Sequence, residues 1–204
     1  VLVQELIITA IILLIFLWHF RSTVIIAIAL IMGVLMTFIF MRIFNIPSNI
    51  MSLGGIAIAI GTMVDSAIVI SENAYRKLLE NPTDSANERL KLVTKSTLEV
   101  GKPIVFAIFI IILSFLPIFS LTGMEGKLFA PLAFTNVFAM LGALIAALFL
   151  VPLLSLIFLK GNLRKDEDIP IVRFLQKWYE PLLLKALNNR RKTLYIMGVL
   201  ILVG

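Results

Sequence analysis

Apolar residues fall along this chain in long runs, separated by shorter polar stretches. A helix needs about 20 mostly apolar residues to cross a bilayer. The pattern predicts membrane spans over Val1–Trp18, Thr23–Met41, Leu53–Ser71, Pro103–Thr122, Pro131–Leu159 and Thr193–Gly204. The run over 131–159 is long for one span, so tilt or an extension beyond lipid is expected. The first and last runs are short. With Val1 in place of an initiator Met, they lead to the expectation that the sequence is a piece of a longer membrane protein. The fold class expected is all-α, a polytopic transmembrane helix bundle with an amphipathic cytoplasmic surface helix. Three parts follow: a bundle over 1–159, a linker over 160–192, and the start of a further span over 193–204.

The connections carry a second pattern. Those at 20–22, 72–102 and 160–192 hold sixteen of the 18 basic residues, and the alternate connections hold only Arg42 and Lys127. Strict alternation of the spans puts the three basic connections on one side. Cytoplasmic loops carry an excess of Lys and Arg, so that side is the cytoplasm. Within 72–102 a helix is expected to leave the third span and run to about Glu80. Asn81-Pro82 breaks it, since proline removes a donor and restricts the residue before it. Thr83, Asp84 or Ser85 would cap the next helix. Gly101 would end that helix, and Pro103 would open the next span. Gly123–Ala130 is read as a short connection. In 160–192, Val172, Leu175, Trp178, Tyr179 and Leu182 fall at helical spacing beside Arg173, Lys177 and Lys185. This suits a helix lying in the membrane surface; packing on protein is the competing reading.

Composition supports the same solvent. Apolar residues make up 60% of the 204, charged residues 15%, and mean hydropathy is +1.06. A soluble domain has roughly 45–50% apolar and about 25% charged residues. That excludes a soluble enzyme and a disordered tail. There are no cysteines, hence no disulfide, thiolate metal site or cysteine nucleophile. The net charge of +6 is accounted for by the basic loops, so no nucleic-acid partner is called for.

One residue stands out chemically. Asp65 is the only ionisable residue in the stretch 53–71. An aspartate at mid-bilayer costs about 2.5–3.5 kcal/mol on insertion scales, and lipid offers nothing to offset it. It should therefore face protein or water, where burial disfavours the anion and favours loading of a proton. Moving one charge through the membrane potential yields about 2.3 kcal/mol per 100 mV. Asp65 is thus the candidate proton relay. The blander reading is a hydrogen bond to a neighbouring helix. Glu72 lies seven residues on, nearly on the same face, and is a weaker candidate whose simpler reading is a solvated helix end. Gly54 and Gly61, with Ala57 and Ala67, are expected to admit a neighbouring helix closely. Thioethers are soft ligands suited to Cu(I), which makes Met63 and Met51 candidate metal ligands. As gap fillers they would have no such role. Met124 is placed in a loop on the side opposite the basic connections.

The block from Asn49 to Asn73, Asn-Ile-Met-Ser-Leu-Gly-Gly-Ile-Ala-Ile-Ala-Ile-Gly-Thr-Met-Val-Asp-Ser-Ala-Ile-Val-Ile-Ser-Glu-Asn, resembles the fourth transmembrane helix of resistance–nodulation–division (RND) efflux permeases. Ser114–Thr135, with Phe-Leu-Pro-Ile-Phe-Ser-Leu-Thr-Gly-Met-Glu-Gly, resembles the end of that family's fifth helix and the start of its sixth. The resemblance runs over the whole chain, as helices two to seven. Drug-exporting members carry two adjacent aspartates where this chain has Asp65-Ser66. Divalent-metal members carry an Asp-Phe-Gly stretch starting at the position of Ala59. The Gly-Gly-Ile-Ala-Ile-Ala-Ile-Gly run resembles the heavy-metal branch that exports copper and silver.

The resemblance implies that Asp65 relays protons and that Met51 and Met63 match methionines of a metal path. The pattern departs at Ile70, where that type has a further methionine, and no methionine lies near Ala146 to partner Met63. It implies a bacterial inner-membrane, multi-pass secondary transporter and not an enzyme. No cofactor is expected, and Cu(I) or Ag(I) would be cargo exchanged for protons. Partners implied are two further copies in a homotrimer, a periplasmic adaptor, an outer-membrane channel and the lipid bilayer. The alternatives are export of divalent metals or organic amphiphiles, and a membrane scaffold that transports nothing.

Overall fold

The computed structural model describes residues 2–17, 20–83, 85–160 and 170–203. Every regular element among them is helical: α1 (Leu2–Leu17), α2 (Phe20–Ile43), α3 (Ile50–Glu80), α4 (Ala86–Ser114), α5 (Leu116–Phe119), α6 (Gly123–Ile145), a π-helical turn (Ala146–Leu150), α7 (Val151–Phe158), α8 (Pro170–Asn188) and α9 (Arg190–Val203). Four helical stretches are long and apolar enough to cross a membrane: Phe20–Ile43, Ile50–Glu80, Ala86–Phe119 and Gly123–Phe158. Leu2–Ile15 is a shorter apolar helix. The chain is a multi-pass membrane protein with the expected helical fold class. It divides into two compact units, 1–163 and 164–204.

In the first unit α3 is central. It lies against α6 over the greatest length and also packs on α2, α4 and α7. Its start is fixed by a capping box. The Asn49 side chain accepts from the Ser52 N–H at 2.9 Å, and Ser52 Oγ accepts from the Asn49 N–H at 2.7 Å. Two otherwise orphaned backbone donors are thus satisfied at the head of the helix. The far end runs out to Glu80 and stops at Asn81-Pro82, as expected.

Three expectations need correction. Gly101 does not end a helix and Pro103 does not begin one, because α4 is continuous from Ala86 to Ser114. Pro103 forfeits one backbone hydrogen bond. Unwinding here would leave more peptide groups unpaired near lipid, where each costs several kcal/mol. Gly101 is buried, with a Leu148 methyl 3.3 Å from where its Cβ would stand, so it serves helix contact. The break comes later, at Phe115–Thr122 around Pro117. Gly123–Ala130 is then not a connection but the first turns of α6, which starts at Gly123 with φ +71° and carries Pro131 inside it. At the capping segment, Ser85 takes the N-cap position without a side-chain bond, and Asp84 lies outside the described residues.

The third correction concerns small residues. Gly54 and Gly61 have no neighbour within 4 Å of a would-be Cβ. The close approach is made instead by Gly55, where a Cβ would collide with Thr135 Oγ1 and the Leu132 carbonyl of α6. Gly33 on α2 and Gly142 on α6 form a second crossing, a Cβ on Gly142 falling 2.9 Å from the Gly33 carbonyl oxygen. Adjacent glycines of one helix differ by 100° in direction, so sequence spacing alone does not choose between Gly54 and Gly55.

The long run over 131–159 contains a π turn. The Val151 N–H bonds to the Ala146 carbonyl, one residue further back than in an α-helix. Pro152 follows at once. Its ring would clash with the carbonyl four residues earlier, and widening the turn relieves that clash.

One end of the unit is tied by arginines. Arg89, at the start of α4, donates to the Leu159 carbonyl at 2.6 Å and the Leu156 carbonyl at 3.3 Å. Arg21, at the start of α2, donates to the Lys160 carbonyl. Arg89 thus meets the negative end of the α7 dipole and satisfies its terminal carbonyls, and Arg21 holds the Lys160 carbonyl just beyond that end. The beginnings of α2 and α4 and the end of α7 therefore share one end, as alternation of the spans requires.

Gly55→Ala is expected to destabilise the α3–α6 contact by about 1–3 kcal/mol through overpacking. Gly61→Ala should stay within about 0.5 kcal/mol. Unfolding of the 204-residue chain by denaturant in micelles measures both, and equal effects would refute the assignment of the contact to Gly55.

Candidate functional site

The buried face of α3 carries Gly55, Ile56, Ala59, Met63, Ala67 and Ile70. The opposite face carries Ile58, Gly61, Asp65 and Val69, all exposed. Helical periodicity therefore sets the only carboxylate of the span on the side that α2 and α6 do not cover. Asp65 opens into a groove of about 230 Å³. Its walls are Thr62, Met63, Ser66 and Val69 of α3, Ile104, Ala107, Ile108 and Ile111 of α4, and Met140 and Ala143 of α6. Among the described residues no cation pairs with Asp65; the ion pairs found there are Arg76–Glu80 and Lys77–Glu99. The polar atoms near it point inward. Thr62 Oγ1 donates to the Ala59 carbonyl at 2.8 Å, and Ser66 Oγ to the Thr62 carbonyl at 3.3 Å.

Met63 is 3% exposed and reaches past the groove. Its terminal methyl occupies the space that a Cβ on Gly33 would need, close to Ala143. Met140 on α6, also 3% exposed, lines the same groove. The reading of the sequence missed Met140, because nothing in the local pattern pairs α3 with α6. Met51 stands in the first turn of α3, about 18 Å from Met63 along the helix axis at 1.5 Å per residue. It does not line the groove. Met124 lies on the first turn of α6 and is exposed. Glu72 is half-buried at the far end of the span, about 10 Å along the axis from Asp65. No cluster of three or more His, Cys, Asp or Glu suited to a metal ion occurs among the described residues.

A second feature had no signal in the pattern. Asn136 is fully buried on α6, one turn before Met140, and neither of its amide atoms has a partner among the described residues. An unpaired buried amide costs free energy comparable to a lost hydrogen bond. Beyond the span, α3 is clamped to α4. Buried Asn73 donates to the Ser96 carbonyl at 2.8 Å, Arg76 donates to Asn73 Oδ1 at 3.2 Å, and Lys77 pairs with Glu99 at 3.3 Å.

Comparison with known proteins now bears on this geometry. The model of the AcrB/AcrD/AcrF family matches residues 1–204. The cation efflux system protein CusA of Escherichia coli K12 is 42% identical over 98% of this chain. The putative cation efflux system protein SilA of Salmonella typhimurium is 41% identical over 97%. The cobalt-zinc-cadmium resistance protein CzcA of Cupriavidus metallidurans is 35% identical over 99%. The crystal structure of a heavy metal efflux pump superposes with a TM-score of 0.75 at 33% identity, over 100% of this chain and 18% of that one. The chain spans about 20% of the length of CusA and SilA.

Asn73→Ala should weaken the clamp between α3 and α4 by about 1–2 kcal/mol. Hydrogen exchange should quicken over 70–80 and 92–100 and stay unchanged in α6. Uniform quickening through the bundle would show that Asn73 supports the whole fold instead.

Proposed function

The chain belongs to the AcrB/AcrD/AcrF family, and from that membership we propose that it forms part of the inner-membrane permease of a proton-driven heavy-metal efflux pump, with Cu(I) or Ag(I) as cargo. The reading is carried by the placement of Asp65. A single carboxylate in an apolar span opens into a groove that two methionines also line. In this reading Asp65 takes a proton from the outer side and becomes neutral. The neutral side chain loses its attraction for a cation supplied by another part of the pump, and α3 shifts against that part. Release of the proton to the basic side restores the charge and resets the helix. Each charge crossing the field supplies about 2.3 kcal/mol per 100 mV.

The soft thioethers of Met63 and Met140 suit Cu(I) and Ag(I) better than harder divalent ions. Relatives named for cation efflux as CusA and SilA, at 42% and 41% identity, stand above the cobalt-zinc-cadmium protein at 35%. The thioethers favour copper and silver, and the chain is less similar to the relative named for cobalt, zinc and cadmium. Met51, outside the groove, is left as an entry or exit ligand, and Glu72 as the acceptor that passes protons towards the basic side. The pump would work as a homotrimer with a periplasmic adaptor and an outer-membrane channel.

In the complete pump, Asp65→Asn should reduce copper and silver tolerance to that of cells without the pump, at unchanged expression and assembly. Retained tolerance would overturn the proton role. Met63→Ile and Met140→Leu should each lower copper and silver tolerance and leave membrane insertion intact. Loss of zinc tolerance to the same degree would assign both side chains to packing.

A further inference from the structure

The second unit carries a charge cluster that the transport reading does not use. Helices α8 and α9 are joined through a single residue, Asn189. The junction is tight: Thr193 Oγ1 donates to the Ala186 carbonyl at 2.9 Å, and Asn189 Nδ2 donates to the Lys185 carbonyl at 3.2 Å. Arg190, Arg191 and Lys192 fill the first turn of α9, and Lys185 closes the last turn of α8. All four side chains are exposed, and none pairs with a carboxylate among the described residues. Three of them also stand at the positive end of the α9 dipole, where cations are disfavoured. Held this closely with no carboxylate paired to it among the described residues, the cluster is electrostatically costly.

Its surroundings identify the counter-charge. On the α8 side Trp178, Tyr179 and Leu182 are 70%, 63% and 66% exposed. On the α9 side Leu194, Tyr195 and Ile201 are 72%, 76% and 77% exposed. Aromatic and aliphatic surface of this kind belongs at the headgroup and acyl boundary of a bilayer, and the aromatic rings mark that boundary. The junction itself forms an open concavity lined by Asn188, Asn189, Arg190, Arg191 and Lys192. Exposed apolar side chains therefore follow the basic junction along both helices. A soluble anion would leave that apolar surface uncovered.

We propose that the α8–α9 junction is a binding site for the phosphate headgroup of an anionic phospholipid, held by Arg190, Arg191 and Lys192 with Lys185 at its edge. Arginine forks pair with two phosphate oxygens at once, and lysine adds a point charge. The lipid would fix the register of α8 in the membrane surface where α9 turns into the bilayer.

The test uses the full 204-residue chain in nanodiscs, with spin-labelled phosphatidylglycerol or spin-labelled phosphatidylcholine as probe. The parent chain should immobilise phosphatidylglycerol preferentially. Arg190→Gln, Arg191→Gln and Lys192→Gln together should remove that preference, at about fivefold per cation near a surface. Arg190→Lys with Arg191→Lys should keep most of it, which separates charge from folding. Equal immobilisation of both lipids by the parent, or an undiminished preference in the triple variant, would overturn the proposal. Complete competition by inorganic phosphate would also overturn it, assigning the site to a soluble anion. Bilayer depth gives an independent reading: in a Trp18→Phe background, Trp178 should be quenched by brominated lipid. An unquenched Trp178 would place α8 on protein and refute the lipid site.

Discussion

A bilayer interior offers no hydrogen-bond partner to a peptide group, and each long element of this chain reflects that limit. The prolines show it best. Pro103 and Pro131 sit inside continuous helices, and Pro152 is preceded by a π turn that re-pairs the backbone instead of opening it. In water such residues would be ready places to stop a helix. Here the chain keeps the helix and absorbs the lost donor. Among the described residues, the helices of the first unit break at 44–49, at Asn81-Pro82 and around Pro117.

The same limit gives α3 its two faces. Without a hydrophobic force between helices in lipid, close association needs small residues that let backbones meet. Gly55 supplies that contact with α6, and Gly33 with Gly142 supplies it between α2 and α6. Once that side of α3 is committed to packing, its other side remains for chemistry. Asp65, Gly61 and Ile58 lie on it, and the groove beside Asp65 is walled by α4 and α6. The Asp65 side chain lies in an apolar span whose packing face is anchored by contacts that do not involve it. The clamp of Asn73, Lys77 and Glu99 extends this anchoring beyond the apolar run 53–71, so α3 and α4 stay joined there.

Charge is sorted by depth as well as by side. Asp65 stands alone among apolar residues, whereas the arginines gather where helices end. Arg89 satisfies the terminal carbonyls of α7, and Arg21 the Lys160 carbonyl just beyond it. Arg190, Arg191 and Lys192 also stand at a helix start, that of α9, but donate to no carbonyl among the described residues. The first pair closes a protein contact, and the second cluster leaves an electrostatic demand that an anionic headgroup would meet. Two sets of basic residues, each at a helix start, thus differ in whether the end of another helix lies within reach.

The amino-acid sequence by itself determined the lipid solvent, the helical class, the existence of four long apolar helices and the place of Asp65 as the one ionisable residue of 53–71. Each of these follows from composition or from a one-dimensional period, which a chain carries regardless of what it packs against. The run of α3 to Glu80 and its stop at Asn81-Pro82 were legible for the same reason. Only the tertiary structure decided which glycines touch, whether Gly101 and Pro103 interrupt a helix, where α6 begins, and that Met140 shares the groove with Asp65 and Met63. Those outcomes depend on which face of one helix meets which face of another, and a rotation of 100° between neighbouring residues exchanges contact for exposure. Local sequence carries no term for that choice; the packing of α2, α3 and α6 makes it.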